Sequence, residues 1–529
     1  MIHTHARRTL AIAIAIAVGG SALSAGSAAA AAPAYDRLGG DSIYSIAASA
    51  SRTGWPTAGS ASTVVVASGT DYLSGAIAAS AASTLGGPVL FSESSSANTT
   101  TIAEVERLAP SRIVIVGAPA ASGSKTLAAL TATGAQIVRV GSASSNAFVD
   151  AEALARLAHP SGVDHVYLAP GTSSPTTIVG AALAGTDGAA LIPIRASDAS
   201  LRASVATLLA DLGVERVTIL GSTSGVSSGV GSSLTSAGFS VSRVSGSDRY
   251  TTSYALADRY TEPAGFLVAS GTSYAKALGA VSLAAATGSP LLLSTDYCAQ
   301  PGLKSRVAGA AQLTLVGGAK TIRGLVGSLE ACRDITKASS TWVLANKKNK
   351  LSPASYVPSG LRVPSIQRSG SHQLKDAAAD ALEDMASAAR SAGAGRIGIA
   401  SGYRSYSTQK ALYARYVATR GQAWADSQSA RAGFSEHQTG LAADLTACSS
   451  TSCGSIYSIA STAQGKWLAK NSWKYGFVLR YANGYTSTTG YAYEPWHFRY
   501  VGTELAADYH DGGFKTLEGY FGKPKAPKY

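Results

Sequence analysis

The chain has 529 residues, of which 46% are hydrophobic, 14% charged and 7% aromatic, with a formal net charge of +13 and a mean hydropathy of +0.12. This much apolar surface excludes a disordered chain, which could not offset the entropy of ordering, and no Gly-X-Y or heptad period is present to make collagen or a coiled coil. Length predicts three or four domains, and no uninterrupted apolar run reaches the roughly 18 residues that a membrane-spanning helix needs.

Residues 1–32 read as a signal peptide. Arg7 and Arg8 form a basic start, Leu10 to Val18 a short apolar run, and Ser21 to Ala32 a small-residue tract with several A-x-A sites. A short buried helix is the rival reading, but this order of charge, apolar run and small residues favours secretion. Four cysteines in a secreted chain predict two disulfides, Cys448–Cys453 inside a Ser/Thr loop and Cys298–Cys332. A cysteine zinc site is the alternative, and it lacks a C-x-x-C pair.

Three sequence markers then recur at one period. Val64–Thr70 returns as Val166–Thr172 and Phe266–Thr272, with Gly69, Gly171 and Gly271 spaced by 102 and 100 residues. Ile113–Gly117 returns as Val217–Gly221 and Leu313–Gly317, and Arg37, Arg139 and Arg243 open the units. The repeats are therefore placed at residues 33–137, 138–241 and 242–332. In each, short apolar runs ending in Gly or Ser alternate with Ala-rich helical stretches such as Leu73–Leu85 and Tyr274–Ala286. That alternation predicts βαβ units with a parallel sheet. A glycine after a strand also suits a phosphate loop, yet no G-x-G-x-x-G or G-K-[ST] follows. His159 and His165 occur in the second unit alone and read as surface or structural residues. The repeats read as binding modules, not enzymes.

The opening Arg-x-x-Gly, the Ala-Ser-Gly-Thr strand end, and the segments Pro88–Phe91 and Pro290–Leu293 resemble the cell wall binding type 2 family. The middle unit departs, with Ala190-Leu-Ile-Pro193 at the equivalent place and no counterpart of Asp248–Tyr250. The resemblance covers roughly residues 35–332. It implies three pseudo-symmetric domains retained non-covalently on an anionic wall polymer.

Residues 333–341 read as a linker and 342–529 as a different, α+β domain, to which five of the six tryptophans belong. Residues 338–529 also hold 22 Lys+Arg against 12 Asp+Glu. Nucleic acid is the routine partner for such a balance. Secretion, and the lack of a basic cluster interleaved with aromatics, favour an anionic envelope polymer instead. Leu374, Ala378, Leu382, Met385 and Ala389 predict an amphipathic helix over 374–392. A strand at Ile397–Ala400 leads into Ser401-Gly-Tyr-Arg-Ser405, a second helix follows over Thr408–Thr419, and strands are expected near Tyr475–Tyr481 and Tyr491–Tyr500.

Two segments of this domain carry chemistry. Ser435-Glu-His-Gln-Thr-Gly-Leu-Ala-Ala-Asp444 and Glu494-Pro-Trp-His-Phe-Arg499 supply two histidines and two carboxylates. Hydrolytic zinc takes three N/O ligands and keeps one position open for water, and a further carboxylate can serve as base. On one helix His437 and Asp444 would lie about 10 Å apart along the axis. Gly440 permits a turn instead, with Leu441–Leu445 returning as a strand. Glu494 and His497 would face opposite sides of an ideal strand, so a bulge or strand start at Glu494 is required. His372 and His510 stand outside any motif. Ser435, His437 and Asp444 could form a serine triad, but Ser435 does not stand in a G-x-S-x-G elbow and Glu494 and His497 would be left unused.

S-x-H-x-x-G-x-A-x-D followed some 50 residues on by E-P-W-H resembles the VanY-type D-alanyl-D-alanine carboxypeptidases, zinc peptidases of hedgehog-like fold. Asn346-Lys347, Leu351 to Pro358, Ser401 to Gln409 and Tyr475-Gly-Phe477 extend the match over 342–510. The resemblance implies Zn²⁺ on His437, Asp444 and His497, with Glu494 as general base and Arg404 on the oxyanion or the substrate carboxylate. It also implies Gln409 and Ser435 at substrate, with Tyr491 and Trp496 as a cleft wall. The expected protein is a secreted, wall-held zinc carboxypeptidase acting on peptidoglycan stem peptides. The alternatives are an L,D-carboxypeptidase or endopeptidase on the same stems, and a wall-binding surface protein with a vestigial peptidase domain.

Overall fold

Short, continuously apolar strands need cover on both faces, and in this chain Ala-rich helices provide it. The computed structural model describes residues 34–529 apart from 94–97, 118–123, 142–145, 173–174 and 371, so the expected signal peptide lies outside the described residues. The repeats form three four-stranded parallel sheets of one strand order. The first runs Val89–Ser92, Thr63–Ser68, Arg112–Val116, Gln136–Val140. The second runs Ala190–Ile194, His165–Pro170, Arg216–Leu220, Ser240–Val244. The third runs Leu291–Ser294, Phe266–Ser270, Leu313–Val316, and its fourth strand is Tyr35–Leu38 from the opposite end of the repeat region.

The phase of the repeats thus differs from the sequence reading. Strands bearing Arg37, Arg139 and Arg243 close the preceding sheet, and for Arg37 the preceding sheet is the third. The expected boundaries at 137/138 and 241/242 fall inside strands Gln136–Val140 and Ser240–Val244. The recurring arginine has a physical use there. Arg37 donates to the carbonyls of Gly317 and Ile322 at 2.7 and 2.9 Å, and Arg243 to those of Gly221 and Val226 at 2.8 and 2.9 Å.

Helices Tyr72–Thr84, Pro175–Thr186 and Leu278–Thr287 pack on one another at the centre of the three units. Each is buried on nearly every face, which is why their sequences carry no polar stripe. Close approach requires small residues. A Cβ on Gly185 would stand 2.8 Å from the Ala285 Cβ and 2.9 Å from the Ser80 carbonyl, one neighbour on each of the other two helices.

The C-terminal domain is α+β as expected. Its sheet runs Gln367–Arg368, Arg396–Ser401, Ala442–Cys448, His497–Tyr500, Phe477–Leu479, antiparallel except for the first pair. Helix Asp376–Ser391 buries Ala378, Leu382, Met385 and Ala389 beneath it. The two aromatic strands are shorter than the sequence suggested. Residues 491–494 are irregular and lead into a turn at Pro495–Trp496, and Ser472–Tyr475 is a 3-10 turn ended by Gly476 at φ +79°.

Pro33–Tyr529 forms one compact unit, and the expected linker 333–341 is not a free tether. Ile335 and Ala338 are buried, and Cys298, Leu325 and Ile335 share one core with Trp342, Val478, Val501 and Leu505. Buried Arg323 donates to the carbonyls of Gly519 and Tyr520 at 3.1 and 2.7 Å, and the Gly324 N–H donates to Asp508 at 2.7 Å. Disulfides Cys298–Cys332 and Cys448–Cys453 are both formed, the first beside this junction. Among the described residues no helix is long and apolar enough to cross a membrane.

Gly185→Leu tests the central packing. Overfilling a close-packed interior costs about 1–3 kcal/mol, so the urea midpoint of the full chain should fall, with the slope of the transition retained if the fold survives.

Candidate metal centre

Three side chains converge here, each for a local reason. A 3-10 turn, Glu436–Thr439, presents His437, and Gly440 follows at φ +69°, a left-handed conformation that reverses the chain. Strand Ala442–Cys448 then carries Asp444 back, as the spacing required. Asp444 pairs directly with His497 across the antiparallel ladder, and such pairs put both side chains on one face. Glu494 lies just before that strand, in a turn closed by the His497 N–H donating to the Glu494 carbonyl at 3.1 Å. This is the strand start that Glu494 needed in order to face the same side as His497.

The ligand atoms of His437, Asp444 and His497 all lie within 4.8 Å of one another, and all three residues are buried. His437 Nε2 is 3.4 Å from Asp444 Oδ2, and His497 Nδ1 is 3.2 Å from Asp444 Oδ1 and 3.6 Å from Glu494 Oε2. The two imidazoles stand almost perpendicular, 5.0 Å apart. Each turns its other nitrogen to an acceptor: His437 Nδ1 donates to the Gly402 carbonyl at 2.7 Å, and His497 Nε2 meets Glu436 Oε2 at 3.3 Å. Anchoring of this kind fixes tautomer and ring orientation at metal sites.

The donor set fits zinc. Two nitrogens and one carboxylate oxygen match a hydrolytic site with an open position. Asp444 Oδ1 is buried without a hydrogen-bond partner, its contact with His497 being poorly aligned. The charges point the same way. Burial opposes a charge on His497, yet the Asp444 and Glu436 carboxylates beside it lift its pKa to about 9, so the pocket favours a positive charge. Burial also works against the Asp444 carboxylate, and the two histidines outweigh it and hold its pKa well below the usual range. Glu494 is lifted to about 8, first by burial; His497 pulls it back, while Asp444 adds to the rise. A dication beside it would favour the carboxylate form.

Sequence reasoning missed Glu436, although it sits beside His437 in the motif. Its fully buried carboxylate accepts from Arg480 Nε at 2.8 Å and Arg499 Nη1 at 2.9 Å. Arg480 also forks onto both oxygens of buried Glu518 at 3.0 and 2.7 Å, and Asn346 donates to Glu518 at 2.9 Å. The Asn346 of the N-terminal motif and the Arg499 of the second motif therefore meet behind the site, not in it.

A cleft of about 380 Å³ opens in front of the ligands. Arg404, Ser435, Tyr491, Glu494 and Trp496 line it, together with Tyr481, which the sequence reading did not single out. Tyr481 stands 4.9 Å from the His497 ring and 4.7 Å from Tyr491. Gln409 has another place from the one expected. It is fully buried, accepts from Arg404 Nη1 at 2.8 Å, and donates to Ser429 Oγ and the Ala430 carbonyl at 3.1 and 2.6 Å. Its amide is spent on positioning Arg404, which Ser401 Oγ holds from the other side at 2.9 Å.

The family model of VanY, D-alanyl-D-alanine carboxypeptidase, matches residues 371–503, and that of cell wall binding domain 2 matches residues 243–326, from the last strand of the second sheet through most of the third unit. YodJ of Bacillus subtilis strain 168 is 39% identical over 207 residues, covering 38% of this chain and 74% of that one. A D-alanyl-D-alanine carboxypeptidase of Enterococcus faecium is 35% identical over 150 residues, 28% of this chain, and the chain spans only 44% of that relative. Cwp8 from Clostridium difficile, a solved structure, aligns with a TM-score of 0.50 at 22% identity, covering 56% of this chain and 51% of that one, a likeness of fold alone.

Arg480→Met should leave Glu436 and Glu518 buried without their shared partner. Breaking a buried ion pair on one side costs about 3–5 kcal/mol. Chemical denaturation should report a loss of that size, well above the effect of Arg216→Met at the exposed pair with Asp164.

Proposed function

Since this chain belongs, through residues 371–503, to the VanY family of D-alanyl-D-alanine carboxypeptidases and carries cell wall binding domain 2 upstream, we propose that it is a secreted, wall-held zinc enzyme that removes the terminal D-alanine of peptidoglycan stem peptides. The observation that carries the reading is the convergence of His437, Asp444 and His497 on one point with Glu494 beside them. These three would hold zinc, which when bound supplies a Lewis acid and an acidified water.

The chain's own residues supply the rest. Glu494 takes a proton from the attacking water as oxygen bonds to the carbonyl carbon preceding the last residue. It returns that proton to the nitrogen as the C–N bond breaks, so the leaving group departs as a neutral amine. The Arg404 guanidinium, held by Gln409 and Ser401, is positioned to receive a carboxylate or a developing oxyanion. Buried Tyr481 packs on the His497 ring and Tyr491 packs on Tyr481, walling that side of the cleft with aromatic surface.

In this reading the three repeats hold the enzyme on an anionic wall polymer and raise its effective concentration on an insoluble substrate. Secretion rests on the order of residues 1–32, and it agrees with the two disulfides.

Two measurements test the proposal. Glu494→Gln should retain one zinc per chain and lose turnover of a pentapeptide stem by about 10²–10⁴-fold, whereas His437→Ala should lose the metal as well. Metal analysis and product analysis on tri-, tetra- and pentapeptide stems read this out. A Glu494→Gln protein that is fully active removes Glu494 from the mechanism. For the repeats, the full chain should bind isolated walls, and binding should fall when anionic polymers are stripped and peptidoglycan is left. Equal binding to stripped walls assigns the repeats to peptidoglycan itself.

A further inference from the structure

The cleft is larger than two terminal alanines fill. At about 380 Å³ it lies in the range of roughly 300–1,000 Å³ typical of sites for drug-sized ligands. Two aromatic pairs from distant segments line it. Tyr457 meets Trp496 edge-on, with centroids 5.0 Å apart, and Tyr416 meets Trp424 in the same manner at 5.3 Å. Tyr457 is 76% exposed and Trp424 40% exposed. Large rings left in water next to a catalytic cleft mark a surface that something covers.

These rings are built in, not left loose. Tyr457 follows the hairpin closed by Cys448–Cys453, in which the Gly454 N–H donates to the Ala447 carbonyl at 2.8 Å. The disulfide lies against strand Arg396–Ser401 where Gly398 leaves room for it: a Cβ there would stand 2.4 Å from the Cys448 sulfur. Trp424 sits on the short helix Gln422–Gln428, which is tied down through Asp426. That carboxylate accepts from the Tyr413 hydroxyl at 2.6 Å and from Arg431 at 3.1 and 3.0 Å. Tyr416 stands on helix Tyr406–Arg420, whose only buried residue is Gln409, so the helix serves the cleft more than the core.

Fixed aromatic faces select a ligand with a flat apolar face and polar edges. A short alanine-rich peptide offers little of that shape. A pyranose ring offers it directly, with C–H groups on one face and hydroxyls around the rim, and a peptidoglycan stem is joined at its other end to such a ring. We propose that Tyr457 with Trp496, and Trp424 with Tyr416, form a saccharide subsite for the glycan that carries the stem peptide, so that the substrate is the sugar-linked stem. This rests on the carboxypeptidase reading above.

The test compares one pentapeptide stem, free and linked to its wall disaccharide, as substrates of the full zinc-loaded chain. The wild type should favour the linked form by about tenfold or more in kcat/KM. Tyr457→Ala and Trp424→Ala should each bring that ratio towards unity, mainly through KM. A wild-type ratio near one, or a ratio that neither variant changes, overturns the subsite. Hydrolysis of neither form overturns the carboxypeptidase reading instead. Equilibrium binding of the peptide-free disaccharide needs no turnover and covers that case. It should weaken about fivefold or more in the same two variants, and unchanged binding in both overturns the subsite whatever the enzyme cleaves.

Discussion

Behind the three converging ligands, the carboxylate of Glu436 is shared by Arg480, Arg499 and His497, all buried. In so dry a setting an unmatched charge is expensive, so each member constrains the others. Arg480 carries the constraint to Glu518 and Asn346, joining the start, middle and end of the C-terminal domain through side chains alone. The orientation of His497 follows from this network. Its cross-strand alignment with Asp444 comes from the antiparallel ladder, and the turn before that strand sets the place of Glu494. What can be done at the cleft depends on an arrangement of charges that never meets solvent.

Much of the site was legible in the sequence because its chemistry needs particular side chains at particular places. His437, Asp444, Glu494 and His497 could be read as one group, and Gly440 marked the reversal that brings Asp444 back. Glu436 was not legible. Its partners lie 44 and 63 residues away, and an acidic residue beside a histidine carries no sign of burial. Gln409 shows the converse: its place in a motif suggested contact with substrate, while the fold turns its amide to Arg404. The repeat period was plain, but a period has no phase. Only the pairing of strands reveals that Arg37, Arg139 and Arg243 finish one sheet instead of beginning the next.

The composition also acquires a cause. A mean hydropathy of +0.12 without a membrane-crossing helix among the described residues reflects in part three central helices buried on nearly every face. Alanine and glycine dominate them because backbones must come close, as at Gly185.

The pairing of Tyr35–Leu38 with Leu313–Val316 joins residues nearly 280 positions apart in the chain. Contacts of such long sequence separation form late, because their loop-closure entropy must be met before they contribute anything. During synthesis the earliest of these strands has no partner until the third unit has emerged, and the third sheet keeps a bare edge until that strand returns. The same unit lends Leu325 and Cys298 to the core beneath the peptidase half. Maturation of the catalytic half is therefore coupled to a segment made long before it, and a chain that stalls before Tyr35–Leu38 joins the third sheet would present an unpaired parallel edge to its neighbours.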